Sequence, residues 1–384
     1  MSVRAEVVSR IARRGPVPFG EVVDLALYDP VHGFYATGGA GRRADFITSP
    51  EVGPLYGAVI ARGLDAWWRE LDEPDPFFLI DAGAGRGALA ASVLDAAPDC
   101  AAALRYVMVE RSGELRDLQG DLLPVVEPRF VFGAGTSAVD DGEDMATGKL
   151  LEGTGPIVTA LEDLPAIAVV GVVLANELLD NLSFSLLEYT EDGWAEVMVG
   201  IEEGELVEVL VPASDHLVRG IGELVEGPRP GDRVPVQGEA RKWLIAALEV
   251  IERGRVVVID YCDRTASLAA RPQREWLRTY RAHSRGSDPL QDLGDQDITC
   301  EVAYDQLSRV READAVRTQA AFLRDHGIEQ LVSDGRQVWL DRAHLGDLAA
   351  LKARSRTFEA EALLDEAGLG GFLVLEWVVG PGRA

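Results

Sequence analysis

The period of apolar and polar positions changes several times along the chain, and each change marks an element. Val3, Val7, Val8 and Ile11 recur at a 3.6-residue spacing until Gly15-Pro16 interrupts it, which predicts an N-terminal helix. A second short helix is expected over Phe19–Tyr28, stopping before Pro30. A third is expected over 54–71, with Tyr56, Val59, Ile60 and Leu64 on one face. Between these two, residues 33–50 (GFYATGGAGRRADFITSP) are too glycine-rich and irregular for a periodic element. From residue 77 the pattern becomes a series of short continuous apolar runs at 77–80, 106–109, 157–159, 169–174 and 256–259, separated by helical stretches. Such runs belong to a parallel sheet covered on both faces, so the expected class is α/β, a Rossmann-like sheet with helices on either side. A sixth run, 372–377, follows a helix at 357–367 and reads as an edge strand. Residues 184–211 alternate openly, with turns at Asp192-Gly193 and Glu203-Gly204, and read as an antiparallel three-stranded insert. Residues 134–156 read as a surface loop and 279–300 as an irregular segment. The domain reading is an N-terminal helical extension with a lid loop at 1–76 and a core at 77–384. That core carries a β insert at about 183–237 and an irregular substrate-side segment at about 263–335.

The first apolar run leads into Asp81-Ala82-Gly83-Ala84-Gly85-Arg86-Gly87. Glycines here permit a sharp strand-to-helix turn and a close approach of ligand to backbone. A dinucleotide fingerprint, Gly-x-Gly-x-x-Gly, would put its last glycine where Ala88 stands. The observed Asp-x-Gly-x-Gly-x-Gly resembles the first motif of class I S-adenosylmethionine-dependent methyltransferases, whose loop passes under the methionine part of the cofactor. Glu110 follows the second run, where a carboxylate can accept both ribose hydroxyls. NAD enzymes use the same device, so Glu110 indicates adenosine without choosing the cofactor. Asp81, Gly83, Ala84, Gly85, Gly87 and Glu110 are the cofactor-binding residues expected here, with S-adenosyl-L-methionine as the cofactor.

Composition narrows the partners. Acidic residues number 64 and basic ones 37, a formal net charge of −27. That balance disfavours a nucleic-acid backbone and favours basic partners. Cys100, Cys262 and Cys300 form no Cys-x-x-Cys pair and the histidines no His-x-x-x-His, so neither a disulfide framework nor a metal site is expected. The first twenty residues lack the apolar centre of a signal peptide, and no stretch reaches roughly 18 uninterrupted apolar residues. A cytoplasmic protein without membrane partners is the resulting expectation; the sequence says nothing of oligomeric state.

Several strings carry a more specific likeness: Ala26-Leu27-Tyr28-Asp29-Pro30 with His32-Gly33-Phe34-Tyr35, Asp45-Phe46-Ile47-Thr48-Ser49-Pro50-Glu51, Ala175-Asn176-Glu177-Leu178-Leu179-Asp180, Ile259-Asp260-Tyr261 and Asp288-Pro289-Leu290. Together with the glycine motif they make nearly the whole chain similar to the MidA-like methyltransferases. The resemblance implies a class I methyltransferase core with an N-terminal extension folding over the cofactor. It also implies a protein substrate, since mitochondrial members are regarded as protein arginine N-methyltransferases. The chain departs from the family pattern at Ala44, at Ser183, at Asp81-Ala82 and across 279–297. These departures keep open a cofactor-binding assembly chaperone without transfer activity; an NAD-dependent oxidoreductase is the other alternative.

Methyl transfer is an in-line displacement in which positioning supplies most of the catalysis. Asn176 and Glu177 follow the fourth run, at the strand ends where open parallel sheets bind ligands. A carboxylate there can accept two N–H groups of a guanidinium and fix its orientation. Glu177 is the first choice, Asp180 the second, and Asn176 their neighbour; the competing reading has Asn176 and Glu177 capping a helix. Asp45, Phe46, Thr48 and Ser49 are expected in a lid over the carboxylate and amine of the cofactor. Ser49 is also expected as the N-cap of a helix with Pro50 first and Glu51 in its first turn. His283 is an incidental histidine on this reading.

Overall fold

Local chemistry sets the first elements. Val3–Arg14 is helical because Ser2 accepts a hydrogen bond from the Ala5 N–H, Glu6 stands in the first turn, and Arg13 and Arg14 stand in the last. Phe19–Tyr28 and Pro54–Glu70 are the second and third expected helices. This computed structural model describes residues 2–36, 48–132, 153–281, 284–286 and 288–380. Asp45, Phe46, His283 and most of the loop expected at 134–156 lie outside the described residues. The helix expected to be capped by Ser49 is capped one residue earlier. Thr48 is the N-cap of Ser49–Val52, and its N–H donates to Glu51 Oε2 at 3.2 Å in a capping box. Ser49 is fully buried, with its Oγ 3.2 Å from Gln319 Oε1.

The chain divides into two compact units. One comprises Met1–Phe46, Glu177–Ala246 and Asp260–Glu312; the other comprises Ile47–Asn176, Ala247–Ile259 and Ala313–Ala384. This division runs along different lines from a boundary at 76.

The second unit holds an eight-stranded sheet: β1 (Phe77–Ala82), β2 (Leu104–Val109), β3 (Val125–Val126), β4 (Ile157–Leu161), β5 (Val169–Asn176), β6 (Ile251–Asp260), β7 (Ala315–Thr318) and β8 (Leu373–Val379). Their order is β7-β8-β6-β5-β1-β2-β4-β3. The pairs from β6 to β3 are parallel, with Ile80 of β1 opposite Val107 of β2 and Val173 of β5. Every residue of β1 and β2 is buried, as helices on both faces require. The run at 372–377 is not an edge: β8 lies between β6 and β7, and pairs β7 antiparallel. β7 escapes sequence reading because its residues, Ala315 to Thr318, form no apolar run. Glu376 of β8, nearly buried, joins three strands by accepting from Arg255 of β6 at 3.0 Å and from Arg317 of β7. Helices Ile328–Arg342 and Leu348–Leu364 form a hairpin, packed closely where a Cβ at Gly335 would meet the Ala353 carbonyl at 2.8 Å.

The first unit contains the expected insert strands Ser185–Thr190, Gly193–Glu202 and Glu205–Pro212, joined in one antiparallel sheet by Arg233–Val236 and Val17–Pro18. Val3, Val7, Phe19, Leu27, Phe184, Val197, Val199 and Trp276 lie in its core. Part of the stretch expected to be irregular is also a sheet: Leu277–Arg281 pairs antiparallel with Ser284–Arg285 and with Asp297–Cys300.

Candidate active site

The glycine loop leaves β1 and is tied to the end of β2. The N–H groups of Gly83 and Ala84 donate to the Val109 carbonyl at 2.9 and 3.0 Å, and Gln119 Nε2 donates to the Gly85 carbonyl at 2.8 Å. Gly85 and Gly87 take φ of 54° and 85°, values that a side chain would strain, and Gly87 opens helix Ala88–Asp95. A Cβ at Gly85 would meet no atom within 4 Å, whereas one at Gly87 would meet Met108 Sδ at 3.1 Å. Open space therefore lies over Gly85, the middle glycine, while Gly87 is needed for packing beneath the loop.

Glu110 stands at the end of β2, 9% exposed. Its Oε2 accepts from the Gly85 N–H at 2.9 Å and its Oε1 from the Ser112 N–H at 2.8 Å. Burial raises its pKa, and the Ser112 and Gly85 N–H groups and Arg116 oppose that rise. Each carboxylate oxygen carries two lone pairs, so both can accept one further hydroxyl each. Asp81 is 2% exposed and accepts from the Tyr106 hydroxyl at 2.9 Å; burial pushes its carboxyl up to about 7, against the Tyr106 hydrogen bond and helped by the charge of Glu110. Asn176, ending β5, accepts from the Tyr56 hydroxyl at 2.5 Å. An exposed Gly83, open space over Gly85 and a strand-end carboxylate fit a nucleoside cofactor whose tail crosses the loop.

The second segment of the first unit begins with Glu177, which takes a left-handed φ of 52°. Non-glycine residues seldom accept that strain outside turns and functional sites. No regular α-helix follows; Leu179–Asn181 is a short 3₁₀ turn, so the helix-capping alternative for Asn176 and Glu177 has no helix to cap. The turn is held by Asp260, whose Oδ2 accepts from the N–H groups of Leu179 at 2.9 Å and Asp180 at 3.3 Å. Asp180, expected as a second accessible carboxylate, is 4% exposed. Burial first, then the charges of Asp260, Asp297 and Glu177, hold its pKa well above the usual carboxylate range. Asp260 is fully buried and its pKa is also raised, by burial first, with the N–H groups of Tyr261, Leu179 and Asp180 opposing that rise.

Asp260, Asp297, Asn181, Tyr28 and Tyr35 belong to this arrangement and were not assigned roles from sequence. Asn181 Nδ2 donates to Asp297 Oδ1 at 3.1 Å and to the Ile298 carbonyl at 3.2 Å, and the Tyr28 hydroxyl donates to the Asn181 carbonyl at 3.3 Å. The Tyr35 hydroxyl lies 3.4 Å from Asp297 Oδ1, with its ring stacked on Tyr28 at 5.3 Å. A usable signal existed for Asp260: it follows an apolar run as Glu110 follows another. The structure thus gathers Asp81, Gly83–Gly87, Glu110 and Asn176 in one unit and Glu177 with Asp180 in the other, while Thr48 and Ser49 start a helix of the sheet unit.

A family profile described as "Putative S-adenosyl-L-methionine-dependent methyltransferase" matches residues 59–321. The chain is similar to the mitochondrial protein arginine methyltransferase NDUFAF7 homolog of Drosophila melanogaster: 27% identical over 327 residues, covering 81% of this chain and 70% of that protein. It is similar also to mitochondrial NDUFAF7 of Danio rerio, 25% identical over 346 residues, covering 85% and 77%. An uncharacterized protein of Burkholderia thailandensis shares its fold with a TM-score of 0.74 at 25% identity, covering 98% of this chain and 91% of that one. A second protein from that organism, solved bound to S-adenosyl-homocysteine, gives 0.76 at 24%, with the same coverage. The architecture is a class I methyltransferase fold. The named relatives are mitochondrial proteins, and this overturns the cytoplasmic location expected from sequence. Among the described residues no helix is long and apolar enough to cross a membrane.

Proposed function

The chain belongs to the S-adenosylmethionine-dependent methyltransferase family matched over residues 59–321, and from that premise we propose that it methylates an arginine nitrogen of a protein substrate. S-adenosylmethionine supplies a methyl group on a sulfonium; the arginine nitrogen takes the methyl carbon as the carbon–sulfur bond breaks toward sulfur, and the nitrogen then loses a proton. Glu110 accepts the ribose hydroxyls, and the Gly83–Gly87 backbone passes under the methionine part, with Asp81 supporting the loop from below. Glu177 accepts two guanidinium N–H groups and orients the attacking nitrogen, with Asn176 beside it. Asp260 holds the turn on which Glu177 stands by accepting from the Leu179 and Asp180 N–H groups.

The observation that carries this reading is Glu177, held at a left-handed φ of 52° directly after β5 and ahead of the turn that the buried Asp260 fixes. A carboxylate at that position suits a cationic side chain better than a neutral one. The names of the Drosophila melanogaster and Danio rerio relatives support the same substrate class. The test is Glu177→Gln. Methyl transfer to an arginine-rich protein should fall by roughly 10²–10³, while S-adenosylhomocysteine affinity stays within a few-fold and the melting temperature is nearly unchanged. Turnover that survives in Glu177→Gln removes Glu177 from the mechanism. Wild-type protein that binds S-adenosylhomocysteine yet methylates no arginine removes the substrate assignment.

A further inference from the structure

Helix Leu348–Leu364 is apolar on two sides. Ala350, Ala353, Ala360 and Leu363 are buried. On the opposite side Leu348, Leu351 and Phe358 are 69%, 51% and 63% exposed. Side chains three and four apart share a helix face, so Leu348, Leu351, Ser355, Phe358 and Ala362 form one continuous stripe. The spacing is that of the a and d seam of a heptad. Contiguous apolar surface of this kind is uncommon on a monomer and marks an interaction site. Arg354 and Glu361, seven residues apart, take the same flanking heptad position and so line one edge of the stripe. Neither has an ion-pair partner among the described residues, and Arg354 lies over the Trp339 ring at 5.1 Å.

We propose that this stripe is a self-association surface on which two copies of the chain pair their Leu348–Leu364 helices antiparallel about a twofold axis. Reversing the stripe on itself sets Leu351 opposite Ala362 of the partner subunit and Phe358 opposite Ser355 of the partner subunit. A large side chain meets a small one at each level, and each contact occurs twice by symmetry. The same register brings Arg354 within one helical turn of Glu361 of the partner subunit, the edge pairing of an antiparallel coiled coil. Charge favours this face over others. A net charge of −27 repels a second copy over most of the surface, but helix Leu348–Leu364 holds Lys352, Arg354 and Arg356 against Glu359 and Glu361, so two copies of it meet near neutrality.

Sedimentation equilibrium on the full chain tests this, with S-adenosylhomocysteine binding and a melting curve as checks that each variant is folded. Wild type should sediment as a dimer of the 41.4 kDa chain, and Phe358→Glu as a monomer. Arg354→Glu should weaken dimerisation about tenfold, and Arg354→Glu with Glu361→Arg should restore it to within a few-fold, because the exchanged charges meet again across the twofold. A monomeric wild type overturns the proposal, as does a dimer that survives Phe358→Glu or a double exchange that fails to restore what Arg354→Glu lost.

Discussion

Replacing Asp81 by asparagine tests the electrostatics beneath the cofactor loop. The carboxyl is 2% exposed, and its pKa rises from 3.8 to about 7. A carboxyl raised on folding binds its proton more tightly in the native state than in the unfolded chain. Its stabilising contribution is therefore fully present below pH 3.8 and is lost as pH climbs to about 7. At about 1.36 kcal/mol per pKa unit, the whole loss is about 4 kcal/mol. Asparagine has no proton to lose, and its amide oxygen can still accept from the Tyr106 hydroxyl, which now bonds Asp81 at 2.9 Å. Against wild type, Asp81→Asn should thus gain about 2–3 kcal/mol more at pH 8 than at pH 5. Any constant cost of weakening the Tyr106 bond appears equally at both pH values and cancels in that difference. Urea unfolding of both proteins at pH 5 and pH 8 measures it directly, since the other titrating groups, His326 included, are common to the two chains. A stability gap that is the same at the two pH values, or larger at pH 5, refutes the claim that Asp81 is ionised at the expense of the fold.

Three further outcomes are expected. Glu110→Ala should weaken S-adenosylmethionine binding by about 1.5–3 kcal/mol in calorimetric titration, because the Gly85 and Ser112 N–H groups lose a charged acceptor along with the ribose; unchanged affinity would contradict the strand-end assignment. S-adenosylhomocysteine at 100 times its dissociation constant should stabilise the protein by about 2.7 kcal/mol, with no shift from NAD; equal shifts would mean that the glycine spacing does not discriminate between cofactors. Thr48→Ala should cost about 1 kcal/mol in urea unfolding whereas Thr48→Ser should cost much less, because the capping box at residue 48 needs only the hydroxyl.

What could be read from sequence was local, and what could not was decided by pairing at a distance. The strands at 77–82, 104–109, 157–161, 169–176 and 251–260 announce themselves because a strand buried on both faces must be continuously apolar. β7 has no such need at the sheet edge, and its absence from the pattern makes β8 look like the edge. Leu277–Arg281 and Asp297–Cys300 form a sheet only through each other, so neither shows a period of its own. Helix Leu348–Leu364 begins well before the expected 357 because apolar residues on two faces blur the helical stripe. At the site, the glycine loop and Glu110 were legible as a motif at one strand end. The burial of Asp180 was not, because Asp260 reaches it from 80 residues away.

The place of β8 in the sheet has a consequence for how the chain is made. Residues 373–379 are made after the two strands that they separate, β6 at 251–260 and β7 at 315–318. Until they emerge, the parallel sheet ends on β6, whose outer hydrogen-bonding groups are bare, and Arg255 and Arg317 lack the Glu376 carboxylate that joins them. A bare, apolar strand edge is a template for wrong partners. Nascent chains of this protein must therefore pass through a sticky stage that lasts until β8 emerges. A stop codon just ahead of residue 373 would strand every molecule there, leaving aggregates rather than a shortened enzyme.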